Sequence, residues 1–221
     1  LGLSAMINGT GFMVADGTLK RLGGWCTGTI SEDMEMTVLC TLADVKVHWV
    51  PLARTFDEQP LTLAQSNCQR RRWTSGTFQV AQAYLPRVGQ GLTLRPALSL
   101  ADMGITLLLP AYQLAMLLNL TVGALSAFFG GNTIQEGMGR LLAYGGSSLA
   151  FTALVTTLSV VLVLTVEGKW DRRLWKAVGV YWLFLLTWLP ITAASLVKGT
   201  TSWEQIRHTR SIRAEAVLVK K

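Results

Sequence analysis

Charged and apolar positions are interleaved up to about residue 103. Beyond that point three long stretches contain no Asp, Glu, Lys or Arg: 104–129, 141–166 and 177–197. Each has the roughly 20 residues that a helix needs to cross about 30 Å of hydrocarbon. In lipid only a helix satisfies its own backbone polar groups locally. The pattern therefore predicts three transmembrane helices. Trp170, Trp175, Tyr181, Trp182 and Trp188 gather around the third, partly as an interfacial aromatic belt. Pro110 and Pro190 fall inside spans, where neighbouring groups can repair the lost hydrogen bond.

The first 103 residues read as a small α/β piece. "SEDMEMTVLCTLA", 31–43, predicts a helix: Ser31 stands at the N-cap, Glu32, Asp33 and Glu35 load the first turn, and Val38, Leu39 and Leu42 share a face. "VKVHWVP", 45–51, alternates, is β-branched and stops at proline, which predicts a strand. Pro60 can open a second helix running through Gln69 to about Ala83, with Leu61, Ala64 and Cys68 as an apolar stripe. Residues 87–103, with Gly89, Gly91 and Pro96, read as an irregular linker along the membrane surface. The fold class expected is an α-helical membrane protein with an α/β cytoplasmic portion and about three transmembrane helices. The expected divisions are 1–86, 87–103, 104–197 and a basic tail, 198–221.

Charge gives the orientation. Residues 1–103 carry nine basic and eight acidic residues, and 104–221 carry eleven and five. The pI of 9.7 thus comes from basic residues between or after apolar runs, as expected of loops facing an anionic membrane surface. A nucleic-acid binder would gather them on one folded face, so no nucleic-acid partner is expected. Loop 130–140 holds one Arg and one Glu, whereas 167–176, "EGKWDRRLWK", holds four basic and two acidic residues. The positive-inside rule places the second loop, and residues 1–103, in the cytoplasm. Three spans would then put the tail outside, against its own six basic residues. Cys26, Cys40 and Cys68 are odd in number and lack CxxC spacing, so buried or half-buried thiols are expected rather than a disulfide framework or zinc site. No signal peptide is visible at the start. His48 and His208 form no pattern, and His48 reads as a strand residue.

Two features carry candidate chemistry. Glu32 and Asp33 are first-turn acids, which serve as caps and dipole partners or, facing a pocket, as a general base for a hydroxyl. "NCQRRRW", 67–73, puts Gln69, Arg72 and Trp73 at i, i+3 and i+4 on one helix face. Arginine matches phosphate through a flat two-pronged fork, and an indole can carry a sugar ring. The same face could equally bind lipid head groups or stay solvated.

Taken in order, "GTGFMV" (9–14), "GGW" (23–25), "ISEDMEM" (30–36), "KVHWVPLA" and "DEQPLTLAQSNCQRRRWTSGTFQV" resemble the C-terminal half of the catalytic domain of membrane-bound family 2 glycosyltransferases. These are the processive synthases of the cellulose, hyaluronan and poly-N-acetylglucosamine kind. The resemblance covers about residues 5–83. The family's [T/S]-E-D corresponds to Ser31-Glu32-Asp33 and its Q-x-x-R-W to Gln69 through Trp73, with 35 residues between Asp33 and Gln69.

The resemblance implies a partial glycosyltransferase-A-type fold and inverting transfer from a nucleotide-sugar to a growing polysaccharide or lipid-linked acceptor. It makes Asp33 the catalytic base, with Glu32 supporting. Gln69, Arg72 and Trp73 become the place where donor diphosphate and acceptor sugar meet, and Asn8, Gly9 and Thr10 a small-residue segment near the acceptor. "WEQIRHTRSI", 203–212, is similar to a tail that follows the last helix in such synthases. The family's Mg²⁺ or Mn²⁺ is held by a D-x-D upstream of the base, and no D-x-D occurs here. The chain, opening on Leu1, is thus expected to be a fragment lacking the nucleotide- and metal-binding half, inactive alone. It would sit in the inner or plasma membrane as a multi-pass protein among membrane lipids. The competing classes are a channel or transporter subunit, which the absence of charge within the spans disfavours, and a lipid-binding scaffold.

Overall fold

The computed structural model describes residues 3–53, 55 and 57–200, and the structural statements below concern those residues. They form seven α-helices: α1 (Asp16–Leu22), α2 (Glu32–Leu42), α3 (Leu63–Leu94), α4 (Leu98–Phe129), α5 (Ile134–Val166), α6 (Trp175–Leu186) and α7 (Trp188–Val197). The basic tail beyond Thr200, including 203–212 and His208, lies outside the described residues. Two compact units result, Leu1–Pro110 with Ser195–Lys221, and Ala111–Ala194.

In the first unit α2 is the central element. Met34, Val38 and Leu42, one turn apart, pack into a cluster with Val80 and Val88 of α3 and Leu100, Met103 and Leu107 of α4. The opposite face carries Met36 and Cys40, which pack with Ile7, with Leu19 and Leu22 of α1, and with Val45 and Val47. Leu39, expected to share a face with Val38 and Leu42, belongs to neither cluster and is only half-buried. Helix α1 ends where Gly23 adopts φ +84° and its N–H returns to the last turn, a left-handed stop that glycine accepts without strain.

Several expectations need correction. The described residues contain no β-strand. Residues 45–48 do alternate between half-buried and exposed, with Val45 and Val47 turned to the core. Val45 N–H donates to Cys40 O at 2.8 Å and Ala5 N–H to Val47 O at 3.0 Å, while Val47 N–H donates to the Ser4 side chain, at Oγ, at 2.9 Å. With Val47 giving its N–H to a side chain, the backbone bond from Ala5 does not grow into a ladder, and the segment forms no strand. His48 is exposed there.

The second helix does not open at Pro60. It starts after Thr62, where Thr62 Oγ1 accepts from Gln65 N–H and the Gln65 side chain accepts from Thr62 N–H, each at 3.2 Å. This capping box outcompetes the proline signal. The expected stripe is not buried: Leu61 precedes the helix, and Ala64 and Cys68 are exposed. Nor is 87–103 irregular. Helix α3 continues through Pro86 to Leu94 because its last turns pack on α4, Val88 lying against Leu100 and Met103. The break falls at Arg95, extended at φ −140° and ψ 86°, as the residue before Pro96 prefers. Arg95 bridges back to Asp44 at 2.5 Å. Cys40 is buried, but Cys26 and Cys68 are exposed.

Most of the length of the apolar helices lies in the second unit, Leu98–Pro110 of α4 and the last residues of α7 belonging to the first. Leu98–Phe129, Ile134–Val166 and Arg172–Val197 are each long and apolar enough to cross a membrane. They begin earlier than the charge-free runs: α4 from Leu98, with Leu100 and Met103 packed in the first unit's core, and α5 from Ile134, capped by Thr133. The third is divided at Thr187 into α6 and α7. At the α4–α5 turn Thr133 caps Glu136 N–H at 3.2 Å and Arg140 Nη1 donates to Gly130 O at 2.7 Å. Any side chain added at Gly123 would run into the Tyr144 ring, so α4 and α5 meet through a small residue. Thr121, Thr152, Ser159 and Thr165 each donate to the carbonyl four residues earlier, which satisfies hydroxyls within apolar helices.

Candidate active site

Asp33 reaches its position through three local contacts. Thr37 Oγ1 donates to Asp33 O at 2.8 Å and accepts Ile7 N–H at 3.0 Å. Residues 7–9 are thereby laid along α2, and Gly9 arrives at its first turn. A Cβ on Gly9 would stand 3.5 Å from Asp33 Oδ2 and 4.0 Å from Glu32 Oε1. Asp33 Oδ1 accepts Met34 N–H at 2.7 Å, leaving Oδ2 on the glycine side. Asp33 is half-buried, and Glu32, Asn8, Gly9 and Thr10 are exposed.

The bend at Gly9–Gly11 is itself held. Thr10 Oγ1 donates to Asp57 Oδ2 at 2.8 Å. Gly11, at φ +71°, is pressed so closely on Thr55 that no side chain fits. Asp57, isolated in the sequence, thus acts as an anchor for the loop beside the Asp33 carboxylate.

The arginine-tryptophan segment meets the same helix terminus through a glycine. Ser31 occupies the N-cap position but makes no capping bond. Its side chain packs directly on Gly76 of α3; a Cβ there would lie 2.7 Å from Ser31 Cβ and 3.3 Å from Ile30 Cγ1. Gln69, Arg72, Trp73 and Gly76 are spaced i, i+3, i+4 and i+7, a single stripe of the helix. The acidic start of α2 therefore abuts the stripe that carries Gln69, Arg72 and Trp73. Gln69 and Arg72 are half-buried and Trp73 is 44% exposed, which suits an indole offered to a ligand.

The two neighbouring arginines differ. Arg70 is buried and bonded to Asn67 Oδ1 at 2.5 Å and Ser66 O at 3.4 Å; burial lowers its pKa from the ordinary value. Arg71 turns elsewhere, its Nη2 donating to Lys198 O at 2.9 Å. Ser75 and Gln79 continue that side of α3: Ser75 Oγ accepts Thr200 N–H at 3.1 Å and Gln79 Nε2 donates to Thr200 O at 3.2 Å.

Two residues of this region were not anticipated. Gly76 interrupts a helical run, "RWTSGTF", at a cost of about 1 kcal/mol relative to alanine, and that local penalty was the readable signal of close packing. Glu35 was read as a first-turn dipole partner. It is instead buried, accepting Gly28 and Thr29 N–H and the Tyr84 hydroxyl. Burial pushes its pKa up, but the bonds from Tyr84, Thr29 and Gly28 outweigh that and hold it below the ordinary value. Among the described residues no group of three or more His, Cys, Asp or Glu side chains is placed to hold a metal ion, so the residues present do not fit one.

The described residues thus bring a first-turn carboxylate pair beside a glycine loop and next to the helix stripe that carries Gln69, Arg72 and Trp73. The chain belongs to the glycosyl transferase family group 2, which it matches over residues 1–197. It is also similar to a "Probable glycosyltransferase YdaM" of Bacillus subtilis (strain 168), 31% identical over 81 residues. That stretch is 37% of this chain and 19% of the relative, so the chain spans about a fifth of the relative's length. No solved structure matches.

Proposed function

We propose that the chain carries the acceptor and leaving-group side of an inverting glycosyl transfer from a nucleotide-sugar to a growing glycan or lipid-linked acceptor. Asp33 Oδ2 takes the proton of the attacking hydroxyl, which displaces the nucleoside diphosphate from the sugar's anomeric carbon in line, with inversion. Arg72 neutralises the departing diphosphate. Gln69 orients it, and Trp73 supports the acceptor sugar. Glu32 assists without exchanging the proton, and Asn8, Gly9 and Thr10 form the floor under the acceptor.

The observation that carries this reading is the double contact of one helix terminus, Gly9 against the Asp33 and Glu32 carboxylates and Ser31 against Gly76 in the Arg72–Trp73 stripe. Membership of the glycosyltransferase family supports the reaction class. The resemblance to processive polysaccharide synthases supports a chain-extending reaction on the cytoplasmic face of the inner or plasma membrane, in a chain that also carries three helices long and apolar enough to cross one. The same resemblance supports a glycosyltransferase-A-type α/β portion in the complete enzyme. It also places there the residues that hold Mg²⁺ or Mn²⁺, and no step here runs through the metal.

The test uses the intact protein in native membranes, supplied with a panel of labelled nucleotide-sugars. The expected result is nucleoside diphosphate release with one donor, together with a glycosidic linkage of inverted anomeric configuration. Retention of configuration, or turnover of no donor, would refute the proposal.

A further inference from the structure

One buried carboxylate has no part in the transfer chemistry above. Glu35 is 3% exposed. Its Oε2 accepts Gly28 N–H at 2.9 Å and Thr29 N–H at 2.8 Å, and its Oε1 accepts the Tyr84 hydroxyl at 2.7 Å. A buried carboxylate is tolerated only when its oxygens are satisfied in this way. The donors come from different elements, the loop before α2 and the middle of α3. The same loop is tied to α3 a second time, Ile30 N–H donating to Gln79 Oε1 at 3.2 Å.

Geometry separates Glu35 from the substrate. Residues two apart on a helix point about 200° from one another, so Glu35 faces α3 and the loop while Asp33 faces Gly9. What Glu35 controls is the roll of α2 about its own axis. A carboxylate roughly 5–6 Å from that axis moves by about 1 Å for a 10° roll, and a displacement of about 1 Å at a reacting group can cost about a hundredfold in rate.

We propose that Glu35 is a positioning residue for sugar transfer: its bonds to Gly28, Thr29 and Tyr84 fix the roll of α2, and with it the place of the Asp33 carboxylate beside the Gln69–Arg72–Trp73 stripe. This rests on Asp33 being the base, and the experiment separates the two ideas.

Steady-state transfer is measured with the intact protein in membranes for Glu35→Gln, Tyr84→Phe, the double variant, Val80→Ala and Asp33→Asn, together with each variant's melting temperature. Val80 is a fully buried contact of the α2–α3 core with no part in the Glu35 bonds. Glu35→Gln is expected to lower kcat about tenfold to a hundredfold, and Tyr84→Phe severalfold, with the donor KM within about twofold of wild type. The double variant should be no worse than Glu35→Gln, because Tyr84 acts through Glu35. Val80→Ala should lower the melting temperature while keeping kcat within about twofold. If both Glu35→Gln and Tyr84→Phe keep wild-type kcat while Asp33→Asn is inactive, the positioning role is refuted and the base stands. If Val80→Ala loses kcat in proportion to its melting temperature as the other two do, the effect is general destabilisation and the role is again refuted. Wild-type transfer by Asp33→Asn would remove the base itself, and the positioning role with it.

Discussion

Replacing Gly76 by alanine tests whether helix packing sets the site. The new methyl carbon would lie 2.7 Å from Ser31 Cβ, nearer still to Ser31 Oγ, and 3.3 Å from Ile30 Cγ1. Carbon atoms settle at about 3.5–4.0 Å, so the start of α2 must retreat from α3 by roughly 1 Å. Ser31 Oγ cannot simply swing aside, because its own Cβ is also too close. Overpacking of this kind costs about 1–3 kcal/mol, and the better helix propensity of alanine returns about 1 kcal/mol. Stability should therefore change little, by about 0–2 kcal/mol. Activity should change more, since a shift of about 1 Å carries Asp33 with it and can cost about a hundredfold. Adding Ser31→Gly removes both clashing atoms, and glycine at an N-cap position costs only a few tenths of a kcal/mol. Transfer rate and melting temperature of Gly76→Ala, with and without Ser31→Gly, are the assay. Expected are a large loss of kcat with a small change in melting temperature, and recovery in the double variant. Full activity in Gly76→Ala would refute the idea that this contact aligns α2 with the Arg72–Trp73 stripe.

Three further outcomes are expected. Arg72→Lys keeps the charge but loses the planar fork; kcat/KM should fall about 10²-fold or more, and unchanged transfer would remove Arg72 from the diphosphate site. Thr62→Ala deletes one arm of the capping box and should cost about 1 kcal/mol in thermal denaturation with kcat unchanged; an unaltered melting temperature would show that the cap contributes nothing. Glu35 has a folded pKa below its ordinary 4.5, so its stabilisation is present above that value and is lost as pH falls through the folded value. Tyr84 is raised by burial first and by Glu35 second, so its contribution holds below the ordinary 10.0 and fades as pH rises. Denaturant titrations across pH should show both limbs, with the acid limb flattened in Glu35→Gln; an identical acid limb would contradict the Glu35 assignment.

The features legible in the sequence were those set by local chemistry. Charge-free runs announced the apolar helices because a single Asp or Lys is costly in hydrocarbon. Glu32 and Asp33 announced the start of α2, and the i, i+3, i+4 spacing of Gln69, Arg72 and Trp73 put them on one face. What was not legible depended on partners distant in the chain. Val45–Val50 has the rhythm of a strand, but Val47 gives its N–H to the Ser4 side chain, so the bond from Ala5 starts no ladder. Residues 87–103 looked irregular, yet packing of Val88 on Leu100 and Met103 carries α3 on to Leu94. Glu35 looked like its neighbours Glu32 and Asp33, and only the approach of Tyr84, 49 residues away, makes it a buried anchor. The links from Thr37 to Ile7 and from Thr10 to Asp57 likewise have no local signature, although they bring the Asn8–Thr10 segment to the carboxylates.

The most direct test is Asp33→Asn in the intact, membrane-inserted protein, followed by donor turnover and linkage formation. The substitution removes the proton acceptor and almost no volume. Expected is a loss of transfer of about 10²–10⁴-fold with insertion and melting temperature unchanged. Transfer at the wild-type rate would contradict the assignment of Asp33 as the base on which the rest depends.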